Sequence, residues 1–367
     1  MTAMAHINAI GTANPPHEAH DAFVRFVAKT IADPKARRLF ERMVQRAGIE
    51  RRYSFLQPVT LDDGTITDVD GFYPVGAWPA TGARMARYEA DAPGLALAAI
   101  AALGEGFEPG AVTHLVVASC TGFMAPGLDQ RIVAALGLDP GVERTVVGFM
   151  GCYAAVNSLR IAHYIVRSEP AARVLVVTLE LCTLHFQRTD DLESLLAMLL
   201  FGDGAAAALV SADESGIALE DFRATTVAGS AEAIRWHIRD QGFDMHLGGE
   251  VPSHIGRALR LEVGRNDAGG LLRGSAPEDY DLWAVHAGGR SVLDAVEQAL
   301  DLPPDALDRS RTVLRDHGNM SSATLMFVLA AMLREGGESA RGVAMAFGPG
   351  LAAESFRFRR LARPSEP

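Results

Sequence analysis

The chain is poor in cysteine and has no excess of basic residues, and each absence excludes a class of protein. Its 367 residues include three cysteines, Cys120, Cys152 and Cys182, and none belongs to a CxxC pair. The sequence therefore supports neither a disulfide framework nor a zinc site. A net charge of −11 argues against a nucleic-acid or anionic-membrane partner.

Long apolar runs are also missing. The runs at 174–179 and 326–333 fall far short of the roughly 20 residues that a membrane helix needs. The first fifteen residues lack the basic and apolar segments of a signal peptide. We therefore expect a cytoplasmic protein that binds no metal, membrane or nucleic acid.

What the chain does contain is an alternation of strand and helix patterns. Apolar runs at 6–13, 114–119 and 174–179 predict strands, and the spacing of apolar residues predicts helices at 19–48, 88–103 and 128–137. This alternation is typical of an α/β protein, and runs that are apolar on both faces indicate a sheet covered on both sides.

A short internal echo predicts two similar halves. Segment 200–206 is similar in sequence to segment 346–353, and each precedes a strand-like run. Two fused copies of one β-α-β layer would produce this echo. We place the boundary after residue 213, which gives an N-terminal half at 1–213 and a C-terminal half at 214–367.

Cys152 follows an apolar run and Gly151, and it begins a pattern of apolar residues spaced by three or four. The pattern predicts a strand-to-helix turn with the thiol in the first turn of a buried helix. Free N–H groups and the helix dipole would favour the thiolate there. The alternative is a small cysteine of the core.

Two polar side chains of the second half are also predicted at element ends. A strand at 280–285 leads to His286, and a loop of small residues carries Asn319 ahead of an apolar helix at 324–333. Ligands of open α/β sheets gather at such ends, so a cysteine, a histidine and an asparagine could converge into one nucleophilic site. The alternatives are a core histidine and a helix-capping asparagine.

Four motifs taken together resemble the signature sites of a known family. They are Gly151-Cys152, His286-Ala287-Gly288-Gly289, Gly318-Asn319-Met320-Ser321-Ser322-Ala323 and Phe347-Gly348-Pro349-Gly350. Their order and spacing resemble those of type III polyketide synthases, the chalcone-synthase-like enzymes. The resemblance implies a thiolase-like α/β fold with two duplicated halves in a five-layered αβαβα core. It also implies a homodimer, CoA-thioester substrates and no permanently bound cofactor.

The same resemblance implies a role for each of the three side chains. Cys152 would accept an acyl group from a CoA thioester. His286 and Asn319 would stabilise the enolate that forms when malonyl-CoA loses carbon dioxide, and His286 would keep Cys152 ionised. Repeated condensation and a cyclisation would follow, with alkylpyrone or alkylresorcinol products as our first hypothesis.

Cavity residues follow from the matching motifs. Phe201 resembles a gatekeeper phenylalanine, and Met245 stands at the second gatekeeper position. Cys120 and Cys182 stand where plant chalcone synthases carry threonine, and Trp236 where they carry glycine, a pattern that resembles the bacterial branch. The remaining cavity residues implied by the resemblance are Thr121, His185, Ser321, Phe347, Gly348, Pro349 and Gly350.

Two sets of residues carry open alternatives. His185 either steers cyclisation or is a hydrogen-bonded wall residue. Arg46, Arg51 and Arg52 fall where the family places basic residues at the entrance of the CoA tunnel, although surface arginines are mostly solvated helix ends.

Three other functions compete with the first hypothesis. One is a synthase primed by malonyl-CoA that makes a tetrahydroxynaphthalene-type product. Another is an initiating β-ketoacyl synthase that uses acyl carrier protein. The last is a catalytically silent partner subunit.

Overall fold

The computed structural model describes residues 3–73, 78–187, 189, 191–265 and 269–362. Its strands are β1 His6–Ala13, β2 His17–Glu18, β3 Tyr53–Ser54, β4 Pro58–Thr60, β5 Ile66–Asp68, β6 His114–Ser119, β7 Glu143–Gly148, β8 Val174–Leu181, β9 Asp203–Ser211, β10 Ile217–Thr226, β11 Ile234–Arg239, β12 Gly242–Leu247, β13 Leu282–Val285, β14 Ala340–Gly348 and β15 Ala352–Arg360. Its helices are α1 His20–Thr30, α2 Pro34–Ala47, α3 Thr81–Ala101, α4 Leu128–Leu136, α5 Ala154–Ser168, α6 Leu192–Leu200, α7 Val251–Val263, α8 Arg290–Leu300, α9 Asp308–His317 and α10 Ser322–Glu335.

One nine-stranded sheet runs through the molecule in the order β13-β14-β15-β10-β1-β9-β8-β6-β7. Its two sides repeat one pairing scheme. In the first, β1, β9 and β8 are antiparallel neighbours and β8 is parallel to β6. In the second, β10, β15 and β14 are antiparallel neighbours and β14 is parallel to β13. The sheet thus has the internal repetition that the echo predicts.

Helices cover both parts of the sheet and also fill the space between them. Val116 of β6 belongs to a central core with α5 and α10, whereas its neighbour Val117 packs with α3 and α4. Ala344 of β14 likewise faces the central core, and Val343 faces α7 and α8 on the opposite side. Because neighbouring strand residues face opposite sides, the order of layers is α, β, α, β, α.

Local signals explain where the structure departs from the predicted elements. Strands β1 and β6 have the predicted bounds, but the predicted helix at 19–48 is two helices. Ile31 is extended, and the Asp33 side chain accepts hydrogen bonds from the main-chain N–H groups of Lys35 and Ala36. Pro34 starts α2, because proline cannot continue a helix but fits its first turn.

Helix α3 begins at Thr81, seven residues before the predicted start at 88. Its first two turns contain few large apolar residues, so apolar spacing alone did not reveal them. Among the residues that the structure describes, no helix has the length and hydropathy to cross a bilayer.

Candidate active site

A tight turn between β7 and α5 presents Cys152. Phe149 and Gly151 both have positive φ, at 58° and 72°, and Cys152 lies in a short 3₁₀ turn just before α5. A Cβ atom on Gly151 would lie 2.3 Å from Pro349 Cδ, and one on Gly348 would lie 2.7 Å from Tyr153 Cδ1. The first and last of the four motifs therefore pack directly against each other, and both require glycine.

One cavity brings Cys152, His286 and Asn319 together. The space between its walls, including the part open to solvent, is about 880 Å³. Eleven further predicted residues line it: Cys120, Thr121, Cys182, His185, Phe201, Trp236, Met245, Ser321, Phe347, Gly348 and Pro349. Gly350 does not line it, because its φ of 73° turns the chain away toward β15. Apolar residues that the motifs could not reveal complete the wall, among them Met198, Ile234, Leu247, Val251, Ile255 and Val292.

Asn319 is held by its main chain and by its carboxamide. Its N–H donates to Leu200 O at 2.8 Å, and its carbonyl accepts from the N–H of Gly202 at 3.0 Å. Its Oδ1 accepts from the N–H of Ser321 at 2.9 Å, and its Nδ2 donates to Gly288 O at 3.2 Å. These bonds fix which end of the carboxamide is the donor, so an N–H is presented at the wall of the cavity.

His286 is 1% exposed and lies at the end of β13, where its main-chain N–H donates to Met345 O at 2.8 Å. Neither ring nitrogen has a hydrogen-bond partner in the described part of the chain. Burial lowers the pKa of His286 to about 3, so the ring is neutral at working pH. Because buried polar atoms are normally paired, both nitrogens are available to a group that is not part of the protein.

The Cys152 thiol is protonated in the free protein. It is 8% exposed, and its Sγ donates to Ser321 Oγ at 3.5 Å. Burial raises its pKa to about 12, although hydrogen bonds with Ser321 and Asn319 lower it; the charge of Glu180 also raises it. That the helix end and His286 ionise Cys152 stays a prediction; in the free protein burial opposes it and the imidazole is neutral.

Beneath the thiol lies a buried carboxylate that the sequence analysis missed. Glu180 accepts from Cys120 Sγ and the Cys120 N–H, both at 3.0 Å, from Thr121 Oγ1 at 2.9 Å and from Ser322 Oγ at 2.5 Å. Burial raises its pKa. A glutamate in strand β8, where Thr178 is the other polar residue, was the available signal, since a fully buried acid needs such partners.

His185 and Trp236 form hydrogen bonds within the cavity wall. His185 Nε2 lies 2.7 Å from Thr121 O, and its Nδ1 accepts from the Phe243 N–H at 3.0 Å. Its ring stacks on Phe243 at 4.2 Å, and Trp236 Nε1 donates to Cys120 O at 2.8 Å. With both ring nitrogens engaged, the contacts favour His185 as a hydrogen-bonded wall residue.

The three predicted arginines lie in different environments. Arg46 is exposed in the last turn of α2, and Arg51 is half-exposed and pairs with Asp316 at 2.9 Å. Arg52 is only 2% exposed, and its guanidinium donates to Met198 O and Phe201 O inside the protein. Its prediction as a CoA contact is wrong, because a guanidinium buried against the end of α6 does not reach a phosphate at the tunnel entrance.

The described residues contain no group of three His, Cys, Asp or Glu side chains that could hold a metal ion. The fold and the site together define an α/β protein with a cysteine at the head of a central helix and a histidine and an asparagine from the other half beside it.

Comparison with known proteins identifies the family. Residues 1–214 match the chalcone and stilbene synthases, N-terminal domain, and residues 219–362 match their C-terminal domain. Bisdemethoxycurcumin synthase of Oryza sativa subsp. japonica is 35% identical over 375 residues, which cover 96% of this chain and 91% of that protein.

Two solved structures have the same fold. PKS-I from the brown alga Ectocarpus siliculosus has a TM-score of 0.86 and 27% identity, covering 98% of this chain and 99% of that one. The C-terminal type III polyketide synthase domain of Steely1 from Dictyostelium has a TM-score of 0.86 and 24% identity, covering 98% and 100%. The thiolase-like fold is thereby confirmed.

The chain belongs to the chalcone and stilbene synthase family. Members are type III polyketide synthases that act on CoA thioesters and are typically dimeric. The relatives named above come from a plant, a brown alga and Dictyostelium, so membership of the bacterial branch stays a prediction.

Proposed function

We propose that this protein condenses malonyl-CoA repeatedly onto an acyl starter held on Cys152 and then cyclises the product. The observation that carries the proposal is the pair of unpartnered nitrogens of buried His286, which share one cavity with Cys152 and Asn319. A thioester carbonyl is an uncharged acceptor that becomes negative during reaction, so neutral donors that no protein group occupies suit it.

Each chemical step of this reaction has a side chain that carries it out. The Cys152 sulfur attacks the acyl-CoA carbonyl, the bond from the carbonyl carbon to the CoA sulfur breaks, and the thiol proton passes to that sulfur, which gives an acyl-cysteine and free CoA. Malonyl-CoA then loses carbon dioxide, and His286 and Asn319 donate hydrogen bonds to the enolate oxygen. The enolate carbon attacks the acyl-cysteine and Cys152 leaves as thiolate. The thiolate then attacks the CoA thioester of the lengthened chain and releases CoA, so that the next round can begin.

The cavity wall supports a medium or long fatty acyl starter. Beyond the catalytic groups it is built mainly from aliphatic and aromatic side chains, including Met198, Phe201, Ile234, Met245 and Ile255. Apolar walls stabilise an alkyl chain in proportion to the area removed from water. Alkylpyrones or alkylresorcinols are the products that fit such a starter.

Incubation with labelled malonyl-CoA, with and without octanoyl-CoA or hexadecanoyl-CoA and without carrier protein, separates the alternatives. We expect alkylated products only when a fatty acyl-CoA is present. An aromatic product from malonyl-CoA alone would favour the malonyl-primed synthase instead. A need for acyl carrier protein would favour the initiating β-ketoacyl synthase.

Replacing Cys152 with alanine tests the nucleophile. We expect C152A to lose all condensation yet still bind CoA, because the covalent intermediate cannot form. Product analysis and calorimetric titration with CoA give the two readouts, and condensation by C152A would contradict the role. Iodoacetamide mapping of the native protein tests the silent-subunit alternative, which predicts that Cys152 reacts no faster than Cys120 and Cys182.

An exposed edge of the sheet supports the proposed homodimer. β7 is the last strand of the sheet, and Val146 on it and Tyr164 on α5 are 59% and 57% exposed. An edge strand with unpaired main-chain groups beside apolar side chains is a template for pairing with a second copy. Sedimentation of native protein and of a Val146→Asp variant tests it, and a native monomer would contradict it.

Arg46 and Arg51 remain proposed contacts of the CoA phosphates. Both reach solvent, as a phosphate contact requires, and Arg51 would exchange its pair with Asp316 for a phosphate. Replacing either with alanine should raise the KM for malonyl-CoA and leave kcat unchanged. An unchanged KM for both variants would exclude the proposed contact.

A further inference from the structure

Arg52 is a buried cation that takes no part in the chemistry above. Within the described residues it forms no ion pair with a carboxylate, and its donors meet neutral acceptors instead. Nη1 donates to Met198 O at 2.8 Å and to Phe201 O at 2.5 Å, and Nε donates to His20 Nδ1 at 3.1 Å. Burial lowers its pKa to about 10, so it stays charged at neutral pH.

The two carbonyls that Arg52 binds belong to the end of α6. The last carbonyls of a helix lack partners within the helix, and a cation there is favourable. Phe201 is the residue at which α6 ends, with an extended ψ of 138°. Arg52 therefore fixes the direction in which the chain leaves α6, and with it the position of the Phe201 ring in the cavity wall.

The same end of α6 holds Asn319. Leu200 O and the Gly202 N–H flank Phe201 and bond both main-chain groups of Asn319. Gly318 comes so close to the arginine that an added Cβ would lie 2.8 Å from Arg52 Cγ. Asn319 comes from the second half of the chain, so this contact joins the halves at the active site.

The segment that carries Arg52 is also bonded to α9, which leads into Gly318. The N–H groups of Glu50 and Arg51 both donate to Arg315 O, at 2.8 and 3.0 Å. Residues 50–52 are thus hydrogen-bonded to α9 through their main chain and to the end of α6 through the Arg52 side chain. Loss of the guanidinium would leave two carbonyls at the end of α6 unpaired and free to shift relative to α9.

We propose that Arg52 is a positioning residue that holds Phe201 and Asn319 in register, and thereby aims the Asn319 carboxamide at the substrate. The proposal rests on the decarboxylating role assigned to Asn319 above. Arg52 contacts neither substrate nor reacting atoms, so its removal should lower kcat of decarboxylation while leaving the thiol accessible.

The test measures carbon dioxide release from carboxyl-labelled malonyl-CoA in Arg52→Met, Arg52→Lys and Asn319→Ala. We expect kcat to fall at least tenfold in R52M with KM changed less than threefold. R52K should lie between R52M and the native protein, because the lysine ammonium ends about one atom short of Nη1. Alkylation of Cys152 by iodoacetamide should fall much less than kcat in both Arg52 variants, because the thiol stays accessible and loses only its hydrogen bond with Asn319.

Arg360→Met is the matched control. Arg360 is 8% exposed and donates to Glu338 O at the opposite end of β15 from the cavity, so R360M also loses a buried arginine–carbonyl bond. We expect its kcat to equal that of the native protein.

Native kcat in R52M, or equal losses of decarboxylation and alkylation, would overturn the proposal. If R52M does not fold by circular dichroism, native kcat in R52K would overturn it. Normal decarboxylation by N319A would instead refute the role of Asn319, on which the proposal depends.

Discussion

At the scale of single residues, the thiol and the imidazole are both uncharged before substrate binds. Burial raises the pKa of Cys152 to about 12 and lowers that of His286 to about 3. A neutral pair costs less to bury than an ion pair, and the neutral imidazole keeps one ring N–H available as a donor. We therefore expect the Cys152 thiol to ionise when the thioester substrate binds.

The reactivity of Cys152 should therefore keep rising with pH. With a thiol pKa near 12, the thiolate fraction grows about tenfold per pH unit between pH 7 and pH 9. We expect the rate of Cys152 alkylation by iodoacetamide, followed by peptide mass, to rise with it. An alkylation rate that no longer rises above pH 7 would show instead that Cys152 and His286 already form a thiolate–imidazolium ion pair in the free protein.

His286 and Asn319 should matter for the decarboxylation step more than for acyl transfer. His286→Ala removes one donor to the enolate, and by analogy with other oxyanion sites we expect kcat for carbon dioxide release to fall about 10²–10³-fold. A single-turnover acylation of Cys152 measures the other step and should fall much less. Equal losses in both steps would contradict separate roles.

At the scale of elements, glycines decide how closely layers approach. A Cβ atom on Gly11 of β1 would lie 2.2 Å from Ala99 O and 2.6 Å from Leu103 N, on the main chain of α3 and the turn that follows it. Gly94 lies in the same helix with nothing within 4 Å of an added Cβ. The two positions make a matched pair.

Gly11→Ala should destabilise the protein by about 1–3 kcal/mol through overpacking. Gly94→Ala should leave stability unchanged or raise it by about 0.5–1 kcal/mol, because alanine has the better helix propensity. Urea unfolding of both variants measures the difference. A Gly11→Ala variant as stable as the native protein would show that β1 and α3 can separate without cost.

Elements also mark the limit of what the sequence can predict. The strand bounds of β1 and β6 and the placing of Cys152, His286 and Asn319 at element ends follow from local patterns, and the structure has all of them. The burial of Arg52 and the pairing of Trp236 with Cys120 O do not. Each of these contacts involves residues that are far apart in the sequence, and local periodicity carries no information about such contacts.

At the scale of the whole molecule, buried neutral histidines make stability depend on pH. Burial lowers the pKa of His286 and His185 to about 3, and those of His20, His163 and His317 to about 4. Below pH 6.5 the histidines of the unfolded chain bind protons, whereas the buried histidines of the folded chain stay neutral. The free energy of unfolding therefore falls as pH falls from 6.5 toward 4. Each fully buried histidine costs about 2 kcal/mol at pH 5.

Urea unfolding at pH 7.5 and pH 5.0 measures this loss. His163→Gln should reduce it, because one lowered pKa is removed, whereas His237→Gln should not, because His237 is exposed. The same loss in the native protein and both variants would show that other groups control acid stability.

The junction between the repeated sides of the sheet is narrow, since β1 and β10 are paired at only two positions. Yet the sulfur is supplied by one side, and the imidazole and carboxamide by the other. Neither side alone holds a working set of groups. Catalysis therefore needs both sides of the sheet folded against each other around one cavity.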